Sequence, residues 1–197
     1  MTRLSYTKAL DRALAPLEFT REGNAKDWYR LRGEIQDWVN LQKSWIDGSV
    51  TINLFAKNVE TERMLRAVDC ETRLGIRQAG QRIGQLIDGY DRWWKNNPDG
   101  PGEVAESVLT YGIPWFERVQ SLEDEASIWY WRGTIGAWSK PNLTALAMTL
   151  FRLGAIQEAL ALFDEPVPKR AIPTLVTEGR CMQRWLQEQA DRKQAAS

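Results

Sequence analysis

Asp88 and Asp91, with Tyr90 between them and Arg82 and Arg92 close by, form the densest set of groups capable of chemistry in the sequence. A carboxylate pair at that spacing can bind a divalent cation or share acid–base work. Nothing nearby completes such a site, and a turn laced with surface ion pairs uses the same residues. Histidine is absent from all 197 residues. That removes the Ser-His-Asp and Cys-His nucleophile arrangements, the HExxH zinc helix and the zinc deaminase site. Cys70 and Cys181 fall in no metal-ligand spacing and are expected as reduced thiols in a reducing cytosol. Gly75, Gly80 and Gly84 lack the Lys-Ser/Thr ending of a phosphate loop. No metal and no cofactor is therefore expected. Any enzyme built here is histidine-free, a hydrolase using Asp88, Asp91 and Arg82.

Recognition chemistry is better represented. Ten tryptophans are explained first by core packing, and alternatively by a ligand groove, since indole offers a flat apolar surface and one donor. Trp93 and Trp94 are adjacent and cannot face the same way, so at least one belongs near the surface or against a helical layer. Asn40, Gln42 and Asn53 gather amides on one strand face, joined by Ser44 and Thr51. Trp38 and Phe55 share that face, and amides mixed with aromatics suit recognition better than plain solvation.

The element that positions them is Trp38 to Lys57, WVNLQKSWIDGSVTINLFAK. An Asp47-Gly48 pair between two β-rich runs predicts a hairpin. With a two-residue loop, Ile46 faces Ser49, Trp45 faces Val50 and Lys43 faces Ile52. Leu41 then faces Leu54 and Val39 faces Ala56, giving one apolar face. The other face carries Ser44 with Thr51, Gln42 with Asn53, Asn40 with Phe55 and Trp38 with Lys57.

The remaining elements follow from periodicity and breakers. Leu10, Ala13, Leu14 and Leu17 predict a helix over 4–15, stopped by Pro16. Strands are expected at 17–21 and 27–32 around Gly23-Asn24, with Gly33-Glu34 leading into the hairpin. Together they make a sequential antiparallel meander. A short helix at 60–67 and a strand near 70–77 come next. The run NNPDGPG, residues 96–102, reads as a loop, and helical segments follow: 103–110 ending at Tyr111-Gly112, one opened by Pro114, 124–132 as helix or irregular structure ending at Gly133, a helical pair at 142–152 and 155–164 broken at Gly154, and 174–190 with Met182, Trp185 and Leu186 inward. The acidic run Glu123-Asp124-Glu125 suits a helix start.

The expected fold class is α+β: a meander of four to six strands after an N-terminal helix, followed by a helical layer. Residues 1–122 form the α+β domain and 123–197 a helical cap on it. The 26 basic and 26 acidic residues cancel, so nothing in the charge calls for nucleic acid or an anionic membrane. Neither a signal-peptide pattern nor a long apolar run is present, and a cytoplasmic location is the expectation.

Trp28-Tyr29-Arg30, Val39-Asn40-Leu41-Gln42-Lys43-Ser44 and Thr51-Ile52-Asn53-Leu54 resemble the front half of a bacterial family, domain of unknown function 4304. Its pattern opens with a helix and a Gly-Phe-Lys type strand, continues with Asn-Leu-Gln-Lys-Ser and pairs that with an asparagine-centred strand. Cys70, the Arg-Ile-Gly-x-Leu of 82–86 and Asp91 with Trp93-Trp94 fit its later part, with either Arg73 or Arg82 as its arginine. Leu17-Glu18-Phe19 stands where the family carries a glycine before the aromatic. The resemblance covers about residues 5–122. It implies the α+β fold and a bacterial cytoplasmic setting, and it brings no activity.

Two functions are thus carried forward. One is a non-catalytic protein-binding module, of immunity type or a subunit of a complex, that meets a toxin or another protein through Trp38, Asn40, Gln42, Asn53, Phe55, Arg82, Asp91, Trp93 and Trp94. The other is the histidine-free hydrolase. Oligomeric state is left open.

Overall fold

The computed structural model describes residues 5–21, 23–70, 74, 80–95, 97–131, 143–164, 166–167, 169 and 171–196. They divide into two compact units, Met1–Ala56 with Gly80–Gln120 and Lys57–Ala79 with Ser121–Ser197.

In the first unit the chain opens with α1 (Tyr6–Leu14), whose N-terminus is capped by the Ser5 hydroxyl accepting from the Lys8 N–H at 3.3 Å. Ala9, Leu10 and Leu14 form its buried side. Pro16 cannot donate to a longer helix, and the chain tightens into a 3₁₀ turn at Ala15–Leu17. Among the described residues five strands follow: β1 (Thr20–Arg21), β2 (Asp27–Arg32), β3 (Ile35–Lys43), β4 (Val50–Asn58) and β5 (Gly80–Arg82). They form one antiparallel sheet in sequential order. The α+β class and the meander are as the sequence predicts.

The hairpin between β3 and β4 departs from its expected turn. The Ser44 N–H donates to the Ser49 carbonyl at 2.7 Å, so Ser49 sits opposite Ser44 rather than Ile46. The loop therefore holds Trp45-Ile46-Asp47-Gly48 instead of Asp47-Gly48 alone. Short polar side chains explain this, because they offer the backbone local partners. Ser44 Oγ accepts from the Ile46 N–H at 3.2 Å, and Asp47 Oδ1 accepts from the Ser49 N–H at 3.1 Å and its hydroxyl at 2.7 Å. Gly48 supplies a φ of 72°. An even-numbered slip keeps each residue on its face, and Val39, Leu41, Ile52, Leu54 and Ala56 are all buried.

Two breaks expected downstream are absent. Pro and Gly at 98–102 do not hold a loop through Gly102: α4 (Gly100–Ser107) begins inside the run, with Pro101 in its first turn where a missing N–H costs nothing. After α3 (Ile83–Ile87) and α4, the helix does not stop at Tyr111-Gly112. It passes through a π-helical turn, Val108–Gly112, into α5 (Ile113–Phe116). Gly112 is buried, and a side chain there would press on Leu54 of β4. α1 packs along α4, and Phe19 meets Phe116 at a centroid distance of 5.9 Å.

The second unit is helical: α2 (Val59–Ala67), α6 (Leu122–Trp131), α7 (Leu143–Arg152), α8 (Ile156–Ala161) and α9 (Pro173–Ala195). Every residue of α7 from Leu143 to Leu150 is buried, as expected for a helix with neighbours all round. It packs on α2, α6, α8 and α9. Gly154, at φ 80°, closes the helical pair. The last helix runs five residues past its expected end at Ala190. The expected strand near 70–77 lies mostly outside the described residues. Cys70 and Cys181 are joined as a disulfide, with Cα atoms 6.0 Å apart, where reduced thiols were expected; a sequence separation of 111 hides the proximity that packing of this unit creates. Among the described residues no helix is long and apolar enough to cross a membrane.

Candidate functional site

Strand alternation and register bring most of the sequence-selected residues together on the outer face of the sheet. Asp27 pairs with Asn40 and Tyr29 with Trp38 across β2 and β3, while Asn53 pairs with Arg82 and Phe55 with Gly80 across β4 and β5. Trp38 lies between Tyr29, at 5.4 Å between ring centroids, and Phe55, at 4.8 Å. Phe55 covers the spot where Gly80 has no side chain, and a Cβ there would run into its ring. The three rings make an aromatic row across the strands, each half-buried.

Beside the row runs a hydrogen-bonded amide ladder. Asn53 spends both amide protons, on Asn40 Oδ1 at 3.0 Å and Gln42 Oε1 at 3.1 Å. Asn40 donates in turn to Asp27 Oδ1 at 2.7 Å, and the Trp38 indole N–H donates to the same oxygen at 2.8 Å. Ladder and aromatic row thus converge on one carboxylate. At the other end Arg82 pairs with Asp91 and lies over the Trp93 ring, 5.3 Å from its centroid, while Trp93 Nε1 donates to Asp91 at 3.2 Å. Hydrogen bonding to Arg82 holds the Asp91 carboxyl below the usual range against the opposing effect of burial, with a lesser contribution from the Trp93 hydrogen bond.

Trp94 is not part of this face. It is 4 % exposed and its backbone exchanges hydrogen bonds with Val50 at 2.8 and 2.9 Å. The adjacent pair divides as alternation demands, with Trp93 half-buried beside Arg82 and Trp94 in the core.

The two carboxylates of the hydrolase reading each have a partner of their own. Asp88 accepts from the Tyr90 N–H at 3.1 Å, an Asx-type turn, while Asp91 is committed to Arg82. A depression of about 240 Å³ lies nearby, lined by Ile87, Arg92, Trp94, Glu103, Ser107 and Tyr111 among others. Neither Asp88, Asp91 nor Arg82 borders it. Among the described residues no group of three or more carboxylates and thiols is placed to hold a metal ion.

Three features escaped the sequence. Asp27 and Tyr29 complete the outer face, and alternation along β2 carried to its register with β3 was the signal that could have found them. Asp37, fully buried on the inner face, accepts from Arg30 at 2.8 Å and Arg32 at 2.7 Å. Arg32 continues to the carbonyls of Phe116 and Val119 at 2.9 and 3.0 Å, tying the end of α5 to the sheet. In the second unit Glu125, 1 % exposed, accepts from the Asn58 N–H at 2.9 Å and sits 3.4 Å from the Thr149 hydroxyl. Burial pushes its pKa up to about 6, against smaller lowering by the Asn58 N–H, Arg152 and Thr149. Its place in an acidic run gave no sign of this.

At the hairpin tip Trp45 is 92 % and Ile46 77 % exposed on the turn braced by Ser44, Asp47 and Ser49. Hydrogen bonds from the Ser49 hydroxyl, from Ser44 and from the Ser49 N–H hold the Asp47 carboxyl at about 2, so the brace stays charged at ordinary pH.

No curated protein and no solved structure matches the chain. The model of the family described as Domain of unknown function (DUF4304) matches residues 10–118, more than half of the chain, and the chain belongs to that family.

Proposed function

We propose that the chain is a non-catalytic protein-binding module whose recognition surface is the outer face of the β-sheet. The observation that carries this reading is the aromatic row Tyr29, Trp38 and Phe55 laid beside the Asn53–Asn40–Asp27 ladder, half-open to solvent on the paired strands of the sheet. Aromatic side chains offer large contact area with little rotamer entropy to lose. The ladder fixes its own amides, so binding has little polar reorganisation to overcome. The exposed Trp45 and Ile46 extend the same strands with an apolar anchor of the kind that dominates interface energetics. The partner is another protein met in the bacterial cytoplasm, a toxin if the role is immunity, otherwise a subunit of a complex.

The test is capture of partners by the tagged full chain in extract of its native host, beside Trp38→Ala and Gln42→Ala variants shown to be folded by circular dichroism. One stoichiometric partner, retained by the wild type and lost by both folded variants, is the expected result. A small molecule co-purifying with the protein and displaced by Asp91→Asn, with no protein captured, overturns the reading.

A further inference from the structure

We propose that the corner of the outer face formed by Asp27, Tyr29, Trp38 and Phe55 binds an arginine side chain presented by the partner, an inference that rests on the protein-binding reading above. Asp27 directs the choice of ligand. Its Oδ1 receives both local donors, Trp38 Nε1 at 2.8 Å and Asn40 Nδ2 at 2.7 Å, while its Oδ2 has no hydrogen-bond partner among the described residues. The carboxylate is fixed by one oxygen and offers the other. It stands at the edge of the Trp38 ring, next to two further rings at 5.4 and 4.8 Å.

A planar cation meets both halves of this arrangement. A guanidinium can stack on an aromatic face while one N–H reaches a neighbouring carboxylate oxygen, a geometry a lysine ammonium lacks. Charge separates this ligand from the other occupant a row of sheet aromatics invites, the stacked bases of a single-stranded nucleic acid. Arg82 is neutralised by Asp91 and Lys57, further along β4, by Glu62 at 2.6 Å; Asp27 has no ion pair among the described residues. The unbalanced charge on this face is therefore negative, which attracts a cation and repels a phosphate backbone.

The experiment is a titration of the ¹⁵N-labelled full chain, following the Trp38 indole N–H resonance. The probes are a capped Gly-Arg-Gly peptide, its citrulline and lysine counterparts, and a short oligouridine. The arginine peptide is expected to give a saturable shift with affinity at least about tenfold above that of the uncharged citrulline peptide. Asp27→Asn should remove the preference, since its amide oxygen can still accept from Trp38 and Asn40. Should that variant lose its fold, the arginine–citrulline comparison on the wild type decides alone. Equal binding of the two peptides, no shift with any of them, or a shift with oligouridine and none with arginine overturns the inference. Capture of a partner that needs Trp38 but ignores Asp27→Asn sinks the arginine site while leaving the protein-binding reading standing. An arginine-selective shift without any captured partner does the reverse.

Discussion

Glu18 adopts φ 65°, the left-handed conformation, just before Phe19. Among the described residues it is the one non-glycine with positive φ, and it sits in the segment where the family resemblance expects a glycine before the aromatic. A side chain with a Cβ is strained there by roughly 1–2 kcal/mol, a cost that glycine avoids while giving back part of the gain as unfolded-state entropy. Glu18→Gly is therefore expected to stabilise the first unit by about 0.5–1 kcal/mol, read as a higher urea midpoint at unchanged slope. A drop in the midpoint would mean that the Glu18 side chain contributes more than its backbone costs. The same scale explains why Trp93 and Trp94 divide: β-type alternation turned one toward Arg82 and the other into the core, a split legible from their adjacency. Which of the two went inward was not legible, because the Val50–Trp94 backbone pairing that decides it joins residues 44 positions apart.

At the scale of elements, the acidic run at the start of α6 shows two neighbouring carboxylates, Asp124 and Glu125, given separate tasks. Asp124 and Ser121 exchange hydrogen bonds at 3.0 and 3.1 Å, a reciprocal cap of the helix start, as anions at that position suggest. Glu123 belongs to the same first turn, while Glu125 turns inward and meets Asn58, whose side chain caps α2, and Thr149 of α7. Because the folded pKa of Glu125 is raised to about 6, the folded state holds its proton more tightly than the unfolded chain. Its contribution to stability is full below the ordinary glutamate range near pH 4.5 and is lost as pH rises through about 6. The loss amounts to about 2 kcal/mol. Glu125→Gln keeps the shape and the acceptor for the Asn58 N–H without the charge. It should flatten that part of the stability profile and leave the variant more stable than wild type near neutrality, as urea melts across the interval will show. An unchanged slope would place the titration elsewhere.

For the molecule as a whole, the disulfide between Cys70 and Cys181 links the segment after α2 to α9 across a sequence separation of 111 residues. Closing so long a loop removes much of the unfolded chain's freedom, worth about 4–5 kcal/mol in the chain-entropy account. Reduction with dithiothreitol should lower the melting temperature of the helical unit, and a melt indifferent to reductant would show that packing alone holds those segments. The sequence by itself determined the α+β class, the meander, the buried face of β3 and β4 and the pairing of amides with aromatics, since all of these follow from period-two alternation and local breakers. Only the tertiary structure decided which residues share a site. The convergence of Trp38 and Asn40 on Asp27, the burial of Asp37 and Glu125, the meeting of Cys70 with Cys181 and the retirement of Trp94 to the core depend on register and on packing between distant segments. Neither composition nor local periodicity carries that information, because the energies that settle it arise between groups that become neighbours only when the chain folds.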